Sequence, residues 1–342
     1  MRMNDVLSWM QGLIETVTEM KEPDFTSINV EIAGISIEVS SNDPALLSDY
    51  QRRWHCVISH DFPRARIYVL SGVMQPQNIP QFSVSEISPS EFHETLRKEE
   101  MIAIYPNVQG QMQFMDRRRR IAIYLFGCRN ELPPSEVSAP LRWPIQWVLA
   151  QENLRLAHAA SIGIDGKGVV LFGKGGSGKS GTTLAALAAG MSTVGDDFIA
   201  IGADKHPFAR AVFNHIKQDR DGIARIPGLS KHLSNEAENW RGKIEFHPEK
   251  VFLGSLADEM CIAAAVLPSI TNQSTPSMTS IKPAEALLAL ISSNAQYDPS
   301  RPDGGLGFFA NLLRQVPCYR MHLSNDALEN GKTLKAFVSH LG

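Results

Sequence analysis

The glycine-rich stretch at residues 173–180, hereafter the glycine loop, constrains the fold more than any other part of the 342-residue chain. Its text, GKGGSGKS, satisfies the pattern G-x-x-x-x-G-K-[ST] at every position. An apolar run at residues 168–172 precedes it, and an alanine- and leucine-rich stretch at residues 178–189 follows it. A strand, a glycine loop and a helix in this order predict an α/β core with a phosphate-binding site at the start of the helix.

Each residue type in the glycine loop suits phosphate binding. Glycines let successive backbone N–H groups turn inward around phosphate oxygens, and the helix dipole adds to the attraction. Lys179 reaches the β and γ oxygens of a nucleoside triphosphate, and Ser180 offers a magnesium ligand. A chance match in a glycine-rich turn is the alternative. The pattern predicts that ATP contacts Gly173, Lys174, Gly175, Gly176, Ser177, Gly178, Lys179, Ser180 and Gly181.

Two adjacent aspartates, Asp196 and Asp197, follow in the text TVGDDFIAIG, for which we predict a strand over residues 193–201. Phosphoryl transfer needs a carboxylate for magnesium and a base near the acceptor hydroxyl, and two aspartates can divide these roles. In an ordinary Walker B arrangement the apolar strand precedes the acid, whereas here much of the apolar text follows it. This departure points away from mainstream ATPases. A polar turn with a helix-capping aspartate is the alternative.

His158 begins a predicted strand over residues 158–164, which pairs with the strand over residues 168–172 across a turn. A lone histidine is more often structural than catalytic, so its position alone assigns it no role. The stretch after the aspartates, through Glu249, is predicted to be rich in loops. Lys217 and Arg225 lie in this stretch where a basic group could reach a phosphate, and solvated loop positions explain them equally well.

Residues 158–202 resemble the core of the HPr serine kinase/phosphorylase family, with its histidine strand, phosphate loop and paired aspartates in the same order and spacing. The resemblance implies an α/β fold with a P-loop core of the HPr kinase/phosphoenolpyruvate carboxykinase type. It implies ATP and Mg²⁺ as cofactors. It also implies roles for four residues: base for Asp197, magnesium side for Asp196 and Ser180, and phosphate helper for His158. In a kinase, Lys179 and magnesium would hold the transferring phosphoryl group.

The resemblance covers roughly the last two hundred residues, and only residues 158–202 are rich in motifs. The E-V-R-G-x-G signature of the HPr enzymes is absent after the aspartates, which argues against phosphorolysis and against HPr as the acceptor. We therefore expect an ATP-dependent kinase that phosphorylates a hydroxyl acceptor, with a serine of a protein or peptide as the leading candidate. The alternatives are a small-molecule kinase and a nucleotide-dependent binding protein without transfer. Relatives of this family form oligomers, so a homo-oligomer is compatible with the resemblance.

The sequence predicts a division of the chain near Leu132. Prolines at Pro133, Pro134 and Pro140 punctuate the text there. We expect an N-terminal α+β module of unknown role at residues 1–132 and the P-loop catalytic domain at residues 133–342. The module should contain an amphipathic first helix packed within its own domain, a hairpin over residues 27–40, and a solvated hairpin end at the four arginines of residues 117–120.

Composition limits the remaining functional classes. The chain has 33 Lys and Arg against 36 Asp and Glu, a net charge of -3, so nothing indicates a nucleic acid or an anionic membrane as partner. The four cysteines are far apart and the ten histidines form no zinc pattern. No apolar run approaches the length of a membrane span, and the N-terminal text is not apolar like a secretory signal. We therefore expect a cytoplasmic protein.

Overall fold

The protein is described by a computed structural model that covers residues 2–20, 25–72, 86–104, 111–271, 273–294 and 305–341. It is a mixed α/β structure that divides into two units, with the change of unit between Glu152 and Asn153. The sequence placed a boundary at 132/133. In the structure the short helices that follow this position belong to the first unit.

The first unit pairs helices with a mixed sheet. Its described helices are α1 (Met3–Glu19), α2 (Pro44–Gln51), α3 (Pro89–Lys98), α4 (Pro134–Ser138) and α5 (Arg142–Gln151). Its described strands are β1 (Thr26–Ile32), β2 (Ile35–Ser41), β3 (Cys56–Ile58), β4 (Ala65–Ser71), β5 (Met101–Ala103), β6 (Gln111–Asp116) and β7 (Ile121–Phe126). They are arranged in the order β3-β1-β2-β4-β7-β6-β5, in which β2-β4 and β4-β7 are parallel pairs.

The local predictions for the first unit are confirmed. Strands β1 and β2 form the expected hairpin, and its turn residues Ala33 and Gly34 have positive φ angles of 52° and 80°. Helix α1 buries its apolar stripe in the core of its own unit. The arginines of residues 117–120 form the turn between β6 and β7, where Arg119 and Arg120 pair with carboxylates of the same unit.

The second unit holds the glycine loop. Its described strands are β8 (Leu154–Ala157), β9 (Ala160–Ile164), β10 (Lys167–Leu171), β11 (Ile199–Gly202), β12 (Phe208–Arg210), β13 (Ile216–Asp219), β14 (Lys243–Phe246), β15 (Glu259–Ile270), β16 (Ser277–Ile281) and β17 (Cys318–Leu323). Its described helices are α6 (Lys179–Ala188), α7 (Arg220–Ala224), α8 (Leu229–His232), α9 (Pro283–Asn294), α10 (Leu306–Gln315) and α11 (Ala327–Ser339).

A mixed sheet forms the centre of the second unit. Its strands follow the order β16-β17-β15-β12-β11-β8, and β10 pairs in parallel with β15 and antiparallel with β9. Alternation along β15 buries Ala264 and Val266 in a core with α6 and α11, and Ala265 and Leu267 in a core with α9 and α10. The result is a sheet with helices on both faces. Strands β13 and β14 form a separate two-stranded ribbon.

Two predictions for the second unit are wrong in their bounds. The strand expected at 193–201 is confined to β11, since residues 192 and 193 make only single bridges. The stretch through Glu249 contains the β13-β14 ribbon, not loops alone.

The strands around the glycine loop are confirmed with small shifts. The prediction at residues 168–172 corresponds to β10, and the helix predicted at 178–189 corresponds to α6. The hairpin of β9 and β10 turns at Asp165 and Gly166, as predicted. In the part of the chain that the structure describes, no helix combines the length and apolarity needed to cross a membrane.

Candidate functional site

The glycine loop follows the carboxyl end of β10, which is a parallel neighbour of β15. Its backbone needs glycine at three points, since Gly173, Gly176 and Gly178 have φ angles of 147°, 79° and 102°. A Cβ on Gly178 would lie 2.6 Å from Leu323 Cδ1, so the loop lies close against the carboxyl end of β17. Ligands bind most often at such carboxyl ends in open α/β sheets.

Lys179 begins α6 and its side chain is buried beneath the glycine loop. Its Nζ donates a hydrogen bond of 2.6 Å to the carbonyl oxygen of Gly173. Burial lowers the pKa of Lys179, and the negative charges of Asp196 and Asp197 oppose that shift. By contrast Lys174, Gly175 and Gly176 are exposed to solvent, while Ser177, Ser180 and Gly181 are half-buried. The cation is therefore held inside the loop and the loop's tip is open.

Asp196 is buried with 3% exposure, and its Oδ1 has no hydrogen-bond partner among the described residues. Burial, followed by repulsion from Asp197, raises the pKa of Asp196. The nearby hydroxyls of Ser180 and Thr183 partly offset that rise. A buried carboxylate oxygen without a partner is costly, and a bound cation would remove the cost.

Asp197 lies between two basic side chains. Its Oδ1 is 3.1 Å from His158 Nε2, and its Oδ2 accepts a hydrogen bond of 2.9 Å from Lys217 Nζ. Burial alone would raise the pKa of Asp197, but the charge of Lys217 and the hydrogen bond from His158 outweigh it and hold the pKa well below its usual range. The adjacent aspartates therefore have opposite shifts, which is how proteins give two carboxylates different roles.

The register of two strands explains why His158 meets Asp197. Strands β8 and β11 are antiparallel with Ala157 opposite Ile199, so the next residues, His158 and Phe198, face each other and Asp197 lies one position further along. The ring of His158 lies 5.4 Å from the ring of Phe198, centroid to centroid. The prediction that His158 begins a strand is wrong, since His158 lies in the break between β8 and β9.

Asn294, at the end of α9, holds that break. Its Oδ1 accepts a hydrogen bond of 2.7 Å from the backbone N–H of His158, and its Nδ2 donates to the carbonyl oxygen of the same residue at 3.4 Å. Asn294 is itself buried. Sequence analysis missed Asn294, because a single asparagine 136 positions away from His158 carries no local pattern.

The two basic residues of the stretch that was predicted to be rich in loops, Lys217 and Arg225, have different environments in the structure. Lys217, on β13, has a side chain that is 14% exposed and is bound to Asp197. Arg225, the other basic residue considered from the sequence, is exposed and is not among the contacts of this cluster. The period-two alternation of Ile216–Asp219 and Lys243–Phe246 is only a weak signal of the ribbon, because each strand has four residues.

The donor set suits magnesium better than a transition metal. Mg²⁺ is usually bound by one or two protein oxygens together with substrate phosphates and water, and the Ser180 hydroxyl and the unpartnered Asp196 oxygen fit that requirement. Among the described residues, no group of three or more His, Cys, Asp and Glu side chains forms a dedicated metal cage. These two protein oxygens would need further oxygen ligands, such as phosphate and water, to complete a magnesium site.

Comparison with known proteins adds little to this geometry. No protein-family model matches the sequence, and no curated protein sequence matches it. Among the solved structures that do match, the HPr(Ser) kinase/phosphatase from Coxiella burnetii has 13% sequence identity and a TM-score of 0.28. The match covers 51% of this chain and 89% of that chain. At that TM-score the likeness establishes neither a fold nor an activity for this protein.

Proposed function

We propose that this protein is an ATP-dependent kinase that transfers the γ-phosphoryl group to a hydroxyl acceptor, with a serine of a protein or peptide as the leading candidate. The proposal is supported above all by one juxtaposition. A buried lysine inside a glycine loop lies near a pair of aspartates, one with an unpartnered oxygen and the other bound by two basic side chains. Nucleotide binding needs only the loop and a metal ligand, so the second aspartate favours transfer.

In this proposal the glycine loop and α6 bind the phosphates. Backbone N–H groups of the loop and the amino end of α6 donate to phosphate oxygens, and Lys179 exchanges its bond to Gly173 for one to the β and γ oxygens. Positioning and charge stabilisation supply most of the rate in phosphoryl transfer. The buried position of Lys179 strengthens these contacts, because water competes less there.

Asp196 and Ser180 are the proposed magnesium ligands. Magnesium held by these residues would neutralise negative charge that develops on the phosphates during transfer. The hydroxyls of Ser180 and Thr183 lie near Asp196 and favour its ionised form, which is the form that binds a cation. ATP and Mg²⁺ thus remain the proposed cofactors.

Asp197 is the proposed base. The acceptor oxygen bonds to the γ-phosphorus while the bond from that phosphorus to the departing ADP oxygen breaks, and the acceptor's proton passes to Asp197. An aspartate with a depressed pKa is ionised at neutral pH but is a weak base. Its main contribution is therefore to orient the hydroxyl, and His158 and Lys217 fix the direction of its two oxygens.

The test is transfer of label from γ-labelled ATP, with magnesium, to acceptors in a cell extract. Wild-type protein is compared with Asp197→Asn and Lys179→Ala. Matched controls are Asp204→Asn and Lys205→Ala, two exposed residues that follow the other end of β11. We expect Asp197→Asn to lower transfer by about 10²-fold or more with nucleotide binding retained. We expect Lys179→Ala to weaken nucleotide binding by about tenfold or more.

Two results would overturn the kinase proposal in different ways. Tight ATP binding without transfer to any acceptor would favour a nucleotide-dependent binding protein. Absence of nucleotide binding in the wild-type protein would contradict the proposed phosphate site itself. Label on a metabolite instead of a polypeptide would retain the kinase and change the acceptor class.

A further inference from the structure

The β13-β14 ribbon presents a polar face and a buried face. Its strands pair antiparallel, with Lys217 opposite Glu245 and Asp219 opposite Lys243. Residues two apart on a strand share a face, so Lys243 lies on the same face as Lys217, whose Nζ is bound to Asp197. The apolar residues of the ribbon, such as Ile244, point to the core of the second unit. Lys243 is thus on the face that meets the candidate site.

The charge of Lys243 has no carboxylate partner among the described residues, although two acidic residues share its face of the ribbon. Asp219, directly opposite, accepts a hydrogen bond of 2.7 Å from the backbone N–H of Gly222 and so caps α7. Glu245 accepts a hydrogen bond of 2.7 Å from Asn239 Nδ2. Lys243 is nevertheless half-buried. Because no carboxylate among the described residues forms a salt bridge with it, the Lys243 ammonium group can pair with an anionic ligand.

Lys243 is also close enough to Lys179 for their charges to repel. The negative charges of Asp196 and Asp197 act on Lys179, and Lys243 is a further positive charge that acts on it from the ribbon. Two ammonium groups near one glycine loop raise the energy of the site, and an anion between them would remove that repulsion. Because Lys179 is the residue proposed to contact the β and γ phosphates, the anion that fits is the terminal phosphate.

We propose that Lys243 is a specificity-determining residue that contacts the terminal phosphate, so that the site prefers a nucleoside triphosphate to a diphosphate. This inference rests on the proposed nucleotide site, and it adds the ribbon to that site as a sensor of the third phosphate. The contact is of the charge-assisted kind, which is stronger than a neutral hydrogen bond.

The experiment measures affinity for a non-hydrolysable ATP analogue and for ADP, both with magnesium, by titration calorimetry. Wild-type protein is compared with Lys243→Met, Lys243→Gln and Lys243→Arg, with Lys205→Met as the matched control. We expect the Met and Gln variants to bind the analogue about tenfold more weakly or worse, and ADP within about threefold of wild type. The Arg and Lys205→Met variants should keep the preference for the analogue. A cooperative thermal unfolding transition in each variant would show that the variant is folded.

The outcomes separate this inference from the proposed function. If wild type prefers the analogue and only the Met and Gln variants lose that preference, Lys243 reads the terminal phosphate. If wild type binds nucleotide and the Met and Gln variants bind both ligands as wild type does, or lose both equally, the inference is wrong while the nucleotide site stands. If wild type binds neither ligand, the proposed function fails and the inference fails with it.

Discussion

Replacing Glu136 by glutamine should remove a pH dependence from the stability of the first unit. Glu136 lies on α4, is 5% exposed, and accepts a hydrogen bond of 2.6 Å from the backbone N–H of Leu141. Burial raises its pKa from 4.5 to about 7, although the Leu141 bond, the charge of Arg142 and a hydrogen bond with Gln113 lower it. Glutamine keeps an oxygen for the Leu141 bond and cannot ionise.

The sign of the effect follows from proton binding. Below about pH 4.5 the Glu136 carboxyl is protonated in both the folded and the unfolded chain. Between that pH and about 7 the unfolded chain has lost the proton and the folded chain keeps it, so stability falls as pH rises. The shift corresponds to about 3 kcal/mol, all of which is lost once the folded carboxyl ionises.

The assay is urea unfolding at a series of pH values from about 4 to 8, followed by tryptophan fluorescence. Four of the five tryptophans, Trp9, Trp54, Trp143 and Trp147, precede the change of unit, so the fluorescence reports mainly on the first unit. Wild type should lose about 3 kcal/mol relative to Glu136→Gln between the two ends of the series. A constant difference between the two proteins across this range would refute the reasoning.

Three further substitutions test the second unit. Gly178→Ala should lower thermal stability by about 2 kcal/mol or more, because the φ of Gly178 is 102° and an added Cβ would clash. Gly175→Ala is the control and should be nearly neutral, because its added Cβ meets nothing within 4 Å. Equal losses for the two variants would contradict the assignment of strain. Lys217→Met should lower kcat in the labelled-ATP assay by about tenfold and leave the nucleotide KM within about threefold of wild type. The reason is that Asp197, the proposed base, loses one of its two orienting partners. A change in KM alone would contradict that role. Asn294→Ala should destabilise the protein to urea by about 1–3 kcal/mol, because it removes both hydrogen bonds between the Asn294 side chain and the backbone of His158. Asn294→Asp, which keeps only the acceptor for the His158 N–H, is the control.

Local sequence rules predicted the features whose causes are local. The hairpin turns at Ala33 and at Asp165 lie where short turn residues separate runs of strand formers, and backbone conformation there depends on neighbouring residues only. The strand, glycine loop and helix around Lys179 were predicted for the same reason. The glycine-loop pattern can be recognised in the sequence because its backbone has positive φ angles at several positions, which favour glycine.

The predictions were wrong for the strand at residues 193–201 and for the loop-rich stretch that holds the β13-β14 ribbon, because tertiary contacts decide the structure of both segments. Thr193 and Val194 before Asp196 are buried, but Thr193 makes only an isolated bridge, and Gly195, with a φ of 157°, separates them from β11. Burial and strand pairing give the same composition, so the sequence could not separate them. The ribbon strand that carries Lys217 is only four residues long, which is too short for alternation to stand out from a loop.

The sequence by itself determined that a lysine, a histidine and two aspartates were present in the order expected of a phosphate site. Only the tertiary structure decided their environment: the opposite pKa shifts of Asp196 and Asp197, the bond from Lys217, and the support of His158 by Asn294. The reason is physical. Burial and charge pairing depend on side chains brought together from distant parts of the chain, and distance along the sequence says nothing about separation in space.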